Sequence, residues 1–182
     1  MQNKEMKMKK ILLVLFFFLT ILSLHSQSNR NNNIDFGLTC LIAVSNDTAV
    51  PAPGISAAWY NTNLFGLFGF GTYLNVVMPI MAFDDGDEKE YVTGIVGSFL
   101  AGPNYMIYNN GVVAFPVTLG FHFDFISTAN NIKINLGIGT VIDFIYKFNE
   151  KWHAYARVLA VYNFGSGGEF LAFPGIGAGF SF

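Results

Sequence analysis

The 182-residue sequence predicts an all-β fold, an eight-stranded antiparallel up-and-down transmembrane β-barrel, on three observations. Apolar and polar residues alternate with a period of two over long runs, which places each set on its own face of a strand. Charged residues make up 12% of the chain and hydrophobic ones 52%, whereas a water-soluble domain carries roughly a quarter charged. The chain also closes on a strand-like run, Phe170 to Phe182, whose last residue is aromatic.

The N-terminus reads as a secretory signal peptide. Lys4, Lys7, Lys9 and Lys10 precede the apolar run Ile11 to Leu22, and the polar stretch Ser23 to Gln27 follows. The run is short for a transmembrane helix and has no stop-transfer cluster behind it, which weighs against an uncleaved anchor. Residues 1–26 are therefore set apart as the signal segment, and 27–182 form one barrel domain. Cleavage leaves six basic and eleven acidic residues, a formal charge of −5. With no cluster of Lys and Arg to displace counterions, nucleic-acid binding is excluded.

Eight strand segments follow, at about 34–44, 53–60, 64–79, 91–108, 112–126, 132–148, 152–164 and 170–182. The first contains Cys40, the only cysteine, which permits no intramolecular disulfide and reads as an apolar residue facing outward. Asn61-Thr-Asn63 separates the second segment from the third. Trp59 and Phe68 both suit the lipid face, but a three-residue turn at 61–63 does not allow both, so a bulge or another turn length is required. Between Thr48 and Phe83, and again between Tyr91 and Phe123, the chain carries no Asp, Glu, Lys or Arg. Pro103, Pro116 and Asn109-Asn-Gly111 cut these stretches to strand length, well below the roughly 20 residues of a membrane helix.

The fifth and sixth segments show the period most clearly. Val113, Phe115, Val117, Leu119, Phe121, Phe123 and Phe125 alternate with Ala114, Pro116, Thr118, Gly120, His122 and Asp124. Ile132 to Phe148 repeats the pattern, with Lys133, Asn135, Gly137, Gly139, Asp143 and Lys147 on the polar row. A helix would scatter these groups around its circumference, while a barrel strand directs them into the lumen. Short turns at 61–63, 109–111 and 149–151 belong to the periplasmic side; 45–52 and 80–90 are longer outer loops, and 127–131 and 165–169 are short ones.

A three-residue turn at 149–151 sets Asp143 across from Arg157, both inward, as the principal lumen charge pair. Lys147 and His153 form the next pair toward the periplasm, and Lys133 lies near Asp124 across an outer loop. Inward Gly120, Gly137, Gly139, Gly175, Gly177 and Gly179 relieve crowding in a bore that has room only for side chains, so no wide aqueous pore is expected.

In the last segment Ile176, Ala178, Phe180 and Phe182 share one face, and Gly175, Gly177, Gly179 and Ser181 the other. On this terminal strand the chain resembles the small eight-stranded outer-membrane barrels of the OmpA/OmpX type, although Pro174 stands where their pattern usually has an apolar non-proline residue. The resemblance implies a terminal signal, carried here by Phe182, Phe180 and Ile176, that the barrel-assembly machinery reads. It implies residence in the cell outer membrane, among outer-membrane lipid and lipopolysaccharide, and a ladder of charges in the bore.

Two constellations invite chemistry. A three-residue turn at 109–111 sets Ser98 opposite His122, with Asp124 two residues on, which can be drawn as a hydrolase triad but points into the bore. The run Asp84 to Glu90 is densely charged yet lacks the spacing of a Ca²⁺ loop, and reads as a solvated outer loop that bridges at most weakly to lipopolysaccharide through divalent ions. No cofactor and no metal site is expected. The sequence favours a structural or surface-interaction role over catalysis, with a narrow or gated channel as first alternative and a lipid-modifying enzyme as second. A soluble lipocalin-like barrel is a further alternative, but it would put the charges outside, whereas here they share a face with the glycines.

Overall fold

The computed structural model describes residues 32–44, 51–64, 68–85, 88–127, 132–164 and 169–182. The signal segment 1–26, most of the loop at 45–52 and the tips of the later outer loops lie outside the described residues. Ten strands follow in chain order: β1 (Asn32–Val44), β2 (Ala52–Asn61), β3 (Gly69–Val77), β4 (Ile80–Asp85), β5 (Glu88–Thr93), β6 (Ile95–Asn109), β7 (Val113–Ser127), β8 (Ile132–Lys147), β9 (Trp152–Asn163) and β10 (Glu169–Ser181). Eight of them close into an antiparallel barrel in the order β1-β10-β9-β8-β7-β6-β3-β2, while β4 and β5 form a separate two-stranded sheet.

Closure is made by the chain ends. Asn33 faces Ser181 and Asp35 faces Gly179, and the terminal Phe182 N–H donates to the Asn32 carbonyl at 2.9 Å. The outward row is apolar and open: Phe121 is 81% exposed, Ile176 66%, and Phe36 and Leu38 65% each. An apolar belt of this extent is unstable against water and suits hydrocarbon. Aromatic rings gather at the turn end, where Trp152 packs edge-on against Phe180 at 5.1 Å and Tyr146 against Phe148 at 5.6 Å. Inside, Val77, Leu100, Val141, Leu159, Val161 and Phe173 belong to one buried apolar cluster that also includes Leu41 and Leu171.

Prolines mark three seams of the wall. The β6–β7 register passes from Ala101↔Phe121 to Asn104↔Thr118, skipping Pro103, and the β7–β8 register passes from Ala114↔Ile145 to Val117↔Ile142, skipping Pro116. The β1–β10 register passes from Thr39↔Gly175 to Ile42↔Ala172, skipping Pro174. A proline has no N–H to give the ladder, so pairing lapses beside it. The Thr39 hydroxyl bonds the Pro174 carbonyl at 3.1 Å, which occupies one freed acceptor. Two grooves open on the wall at these lapses. One, of about 650 Å³, is lined by Cys40, Pro174 and Phe115 among others, and the second, of about 540 Å³, runs beside Pro103, Leu119 and Gly120.

Four expectations change. The turn at 61–63 is longer, because Asn61 pairs with Phe70 and residues 62–69 connect them; this even-length connection lets Trp59 and Phe68 both face outward. The turn at 109–111 is also longer, with Asn109 opposite Ala114. The Asn110 side chain accepts the N–H groups of Val112 and Val113, and Gly111 takes φ +85°, a conformation that favours glycine. A register shift between Met106 and Tyr108 takes back one residue of this lengthening, so Ser98 faces Asp124 and not His122.

The fourth change concerns 80–90, which is a hairpin and not an open loop: β4 pairs with β5 from Ile80↔Thr93 to Asp85↔Glu88. Val77 faces Val96, the Gly94 N–H reaches the Pro79 carbonyl at 2.9 Å, and the same register continues into the hairpin. Six residues at about 3.3 Å each give this hairpin a length of about 20 Å.

Refolded in detergent, residues 27–182 should run at one mobility in cold SDS and at another after boiling, with β-rich circular dichroism. An unshifted band from a protein soluble in plain buffer would contradict a membrane barrel.

Candidate functional site

The lumen is where the sequence concentrates its buried polar chemistry. At its centre, Arg157 of β9 donates through Nε to Asp143 Oδ1 at 2.6 Å and through Nη2 to Asp143 Oδ2 at 3.1 Å. The same Nη2 reaches Asp35 Oδ2 of β1. Asp143 and Asp35 have no exposed surface, and Arg157 is 4% exposed. Charges removed from water this completely are tolerable only when each has partners of opposite sign and good geometry, and the guanidinium fork provides both. Its faces are also covered: Tyr155 lies 4.3 Å and Tyr73 4.7 Å from the Arg157 carbon, ring centroid to cation.

The network continues toward the turn end. His153 Nε2 donates to Asp35 Oδ1 at 2.8 Å, since a carboxylate only accepts. Ser181 of the last strand bonds Asn33 at 2.7 Å and stands 3.5 Å from His153 Nδ1. Around the tyrosines, Tyr155 and Ser56 hydroxyls lie 3.2 Å apart, and Tyr73 meets Thr118 at 2.8 Å. One cluster therefore ties β1, β2, β3, β7, β8, β9 and β10 across the bore.

Glycine makes room for it. A Cβ on Gly179 would overlap Asp35 Oδ1 and His153 Nε2, and one on Gly177 would meet the Tyr155 hydroxyl. The small inward residues of β10 thus define the space in which the charges sit.

Toward the outer end lies a second network. Ser98 Oγ stands 2.8 Å from His122 Nε2, His122 Nδ1 stands 3.0 Å from Asn163 Oδ1, and Asn163 Nδ2 donates to Asp124 Oδ2 at 2.7 Å. The carboxylate fixes the orientation of the Asn163 amide, so Nδ1 of His122 carries a proton. The Ser–His contact has the geometry of an activated nucleophile. Yet Ser98 is 0% exposed and His122 and Asn163 are 1% exposed, and acyl transfer needs a substrate beside the nucleophile. The arrangement is a buried hydrogen-bond network joining β6, β7 and β9.

The structure places the sequence-predicted residues unevenly. Asp143 and Arg157 are in contact. Lys147 and His153 are register partners, but the hydrogen bonds of His153 run to Asp35, Tyr60 and Ser181. Lys133 does not join Asp124: it faces Ile126 in the ladder and reaches Glu169 at 3.4 Å, while Asp124 turns to Asn163. The extra length of a lysine at the rim lets it leave the bore for a solvated partner. Phe182, Phe180 and Ile176 all stand on the outward row of the terminal strand. Asp35 was missed, although it lies between Ile34 and Phe36 on the polar row of the first strand. Asn163 was missed because nothing in its own hairpin marks it as a partner of β7.

No family model and no curated protein matches the chain. Solved structures do match. Neisserial surface protein A superposes with a TM-score of 0.61 at 12% identity, over 84% of this chain and 97% of that one. Ail, the attachment invasion locus protein of Yersinia pestis, in complex with the heparin analogue sucrose octasulfate, gives 0.58 at 12% identity, over 83% and 97%. The outer membrane protein OprG from Pseudomonas aeruginosa gives 0.57 at 12% identity, over 83% and 95%. At these identities the likeness is one of fold: the chain has the architecture of the small eight-stranded outer-membrane barrels.

Arg157→Ala should cost about 3–5 kcal/mol in urea unfolding, because it strands two buried carboxylates. Combining Arg157→Met with Asp35→Asn and Asp143→Asn should recover most of that loss. Gly179→Ala should cost about 1–3 kcal/mol by overpacking the Asp35–His153 contact; an unchanged midpoint would show that the contact adjusts freely.

Proposed function

We propose that this chain is an exported outer-membrane barrel with a structural and surface-interaction role, its bore filled by side chains and its β4–β5 hairpin presented outside. The observation that carries this reading is the contrast between the two ends of the polar inventory. The charged groups at the bore centre are buried and paired with one another, whereas the register of β3 and β6 runs on into the β4–β5 hairpin. In this reading residues 1–26 direct export, the assembly machinery recognises the strand ending at Phe180 and Phe182, and the apolar belt rests in outer-membrane lipid. No catalytic role is assigned, because the nucleophile-like pair Ser98 and His122 is buried within the outer network.

The outer partner follows from charge. Residues 80–93 carry Asp84, Asp85, Asp87, Glu88 and Glu90 against Lys89, and Lys133 is already engaged by Glu169. A segment of this net charge repels a polyanion of the kind found with Ail, and favours divalent cations shared with the anionic groups of lipopolysaccharide.

In planar bilayers the intact barrel should give no current above the lipid baseline. Deleting residues 80–93 should preserve the heat-dependent gel mobility and remove Mg²⁺-dependent retention of lipopolysaccharide by the immobilised barrel. Retention undiminished by the deletion would contradict the assignment of the hairpin.

A further inference from the structure

The bore changes character twice between its mouths. Along β9 the inward row runs Arg157, Leu159, Val161, Asn163; along β6 it runs Asn104, Gly102, Leu100, Ser98. Along β8 it passes from Asp143 through Val141 and two glycines to Asn135. Each strand goes from polar to apolar or glycine and back to polar. In the intervening layer Leu100, Val141 and Leu159 have no exposed surface, and Val161 and Phe173 are 1% exposed. All five belong to one contiguous cluster, which reaches from Val77 on β3 through β6, β8 and β9 to β10.

On either side of this layer the protein leaves polar atoms unsatisfied. Among the described residues, four buried side-chain atoms have no hydrogen-bond partner within the protein: Arg157 Nη1, Asn104 Oδ1, Asp124 Oδ1 and Asn135 Nδ2. The first two lie on the turn side of the apolar layer and the last two on the outer side. Each side holds one donor and one acceptor, and water can partner both kinds. Asp124 and Asn135 are also directly opposed in the β7–β8 ladder. Buried polar groups are nearly always satisfied, and internal water is the usual means when the protein supplies no partner.

We propose that the bore consists of two hydrated polar chambers divided by a dry septum of Leu100, Val141, Leu159, Val161 and Phe173, and that this septum blocks ions. A layer of aliphatic and aromatic side chains in a narrow bore excludes water, and an ion that cannot bring water through must shed its hydration shell. The Asp35–Arg157–Asp143 cluster presents both signs of charge and by itself offers an ion compensation. In this division of labour the charges hold the strands together and the septum makes the seal. The proposal rests on the reading of the barrel as non-conducting.

The test compares two reconstituted variants with the intact protein in planar bilayers, each accepted only if it shows the heat-dependent mobility shift. Leu159→Ser with Phe173→Ser breaches the septum; Leu159→Thr is a milder breach should the pair fail to fold. Arg157→Met with Asp35→Asn and Asp143→Asn removes the charges and leaves the septum whole. The septum variants should raise the current on the order of tenfold over the intact barrel as the layer wets, and the neutralised variant should match the intact barrel. Current through the neutralised variant, or silence from a folded septum variant, would overturn the proposal. Current through the intact barrel would instead remove the non-conducting reading on which it rests.

Discussion

Backbone amides that face hydrocarbon have no water to bond, so the wall must satisfy them with its own ladder. Much of the architecture follows from that constraint. Sheet edges have to meet, which brings Asn32 to Phe182 across the full length of the chain. Once the wall is closed, the period of two sends every second residue inward, and a bore only eight strands around has to accept them. The inward side chains are therefore polar, aliphatic, aromatic or absent according to what fits beside their neighbours. Gly179 is as much a part of the Asp35–His153 contact as the two side chains that make it.

The central cluster shows how a narrow barrel tolerates charge. Arg157 divides its fork between carboxylates from β8 and β1, and two tyrosine rings take the place of solvent over its faces. No one of these contacts could stand alone in a low-dielectric interior. Their value lies in being mutual, because each strand that contributes a partner is held in register by it. The outer network works in the same way, passing hydrogen bonds from Ser98 to Asp124 through a histidine and an asparagine.

Legibility in the sequence follows distance along the chain. Alternation gives the faces of β7 and β8 residue by residue, since burial imposes the period locally. A short turn at 149–151 fixes which residues oppose, so Asp143 and Arg157 can be paired from their numbers. Asp35 could not be, because its partners lie 118 and 122 residues away and the closure register is a property of the whole ring. The shift at Met106 has no sequence mark, and together with the longer turn it moves the partner of Ser98 two positions, from His122 to Asp124. The β4–β5 hairpin was hidden for another reason: its charges read as solvated loop, and nothing local shows that the register of the wall runs on through Pro79 and Gly94.

The three proline seams give this wall an uneven stiffness. Ladders β8–β9 and β9–β10 run without interruption, from Gly137↔Asn163 to Lys147↔His153 and from Glu169↔Asn163 to Phe180↔Trp152, so these three strands behave as one rigid plate. Both Asp143 and Arg157 are anchored in that plate. At Pro103, Pro116 and Pro174 the ladder lapses, and there the hoop has less to resist bending. Lateral pressure from the bilayer should then be taken up as small bending at the seams, while the Asp143–Arg157 pair keeps its geometry within the plate.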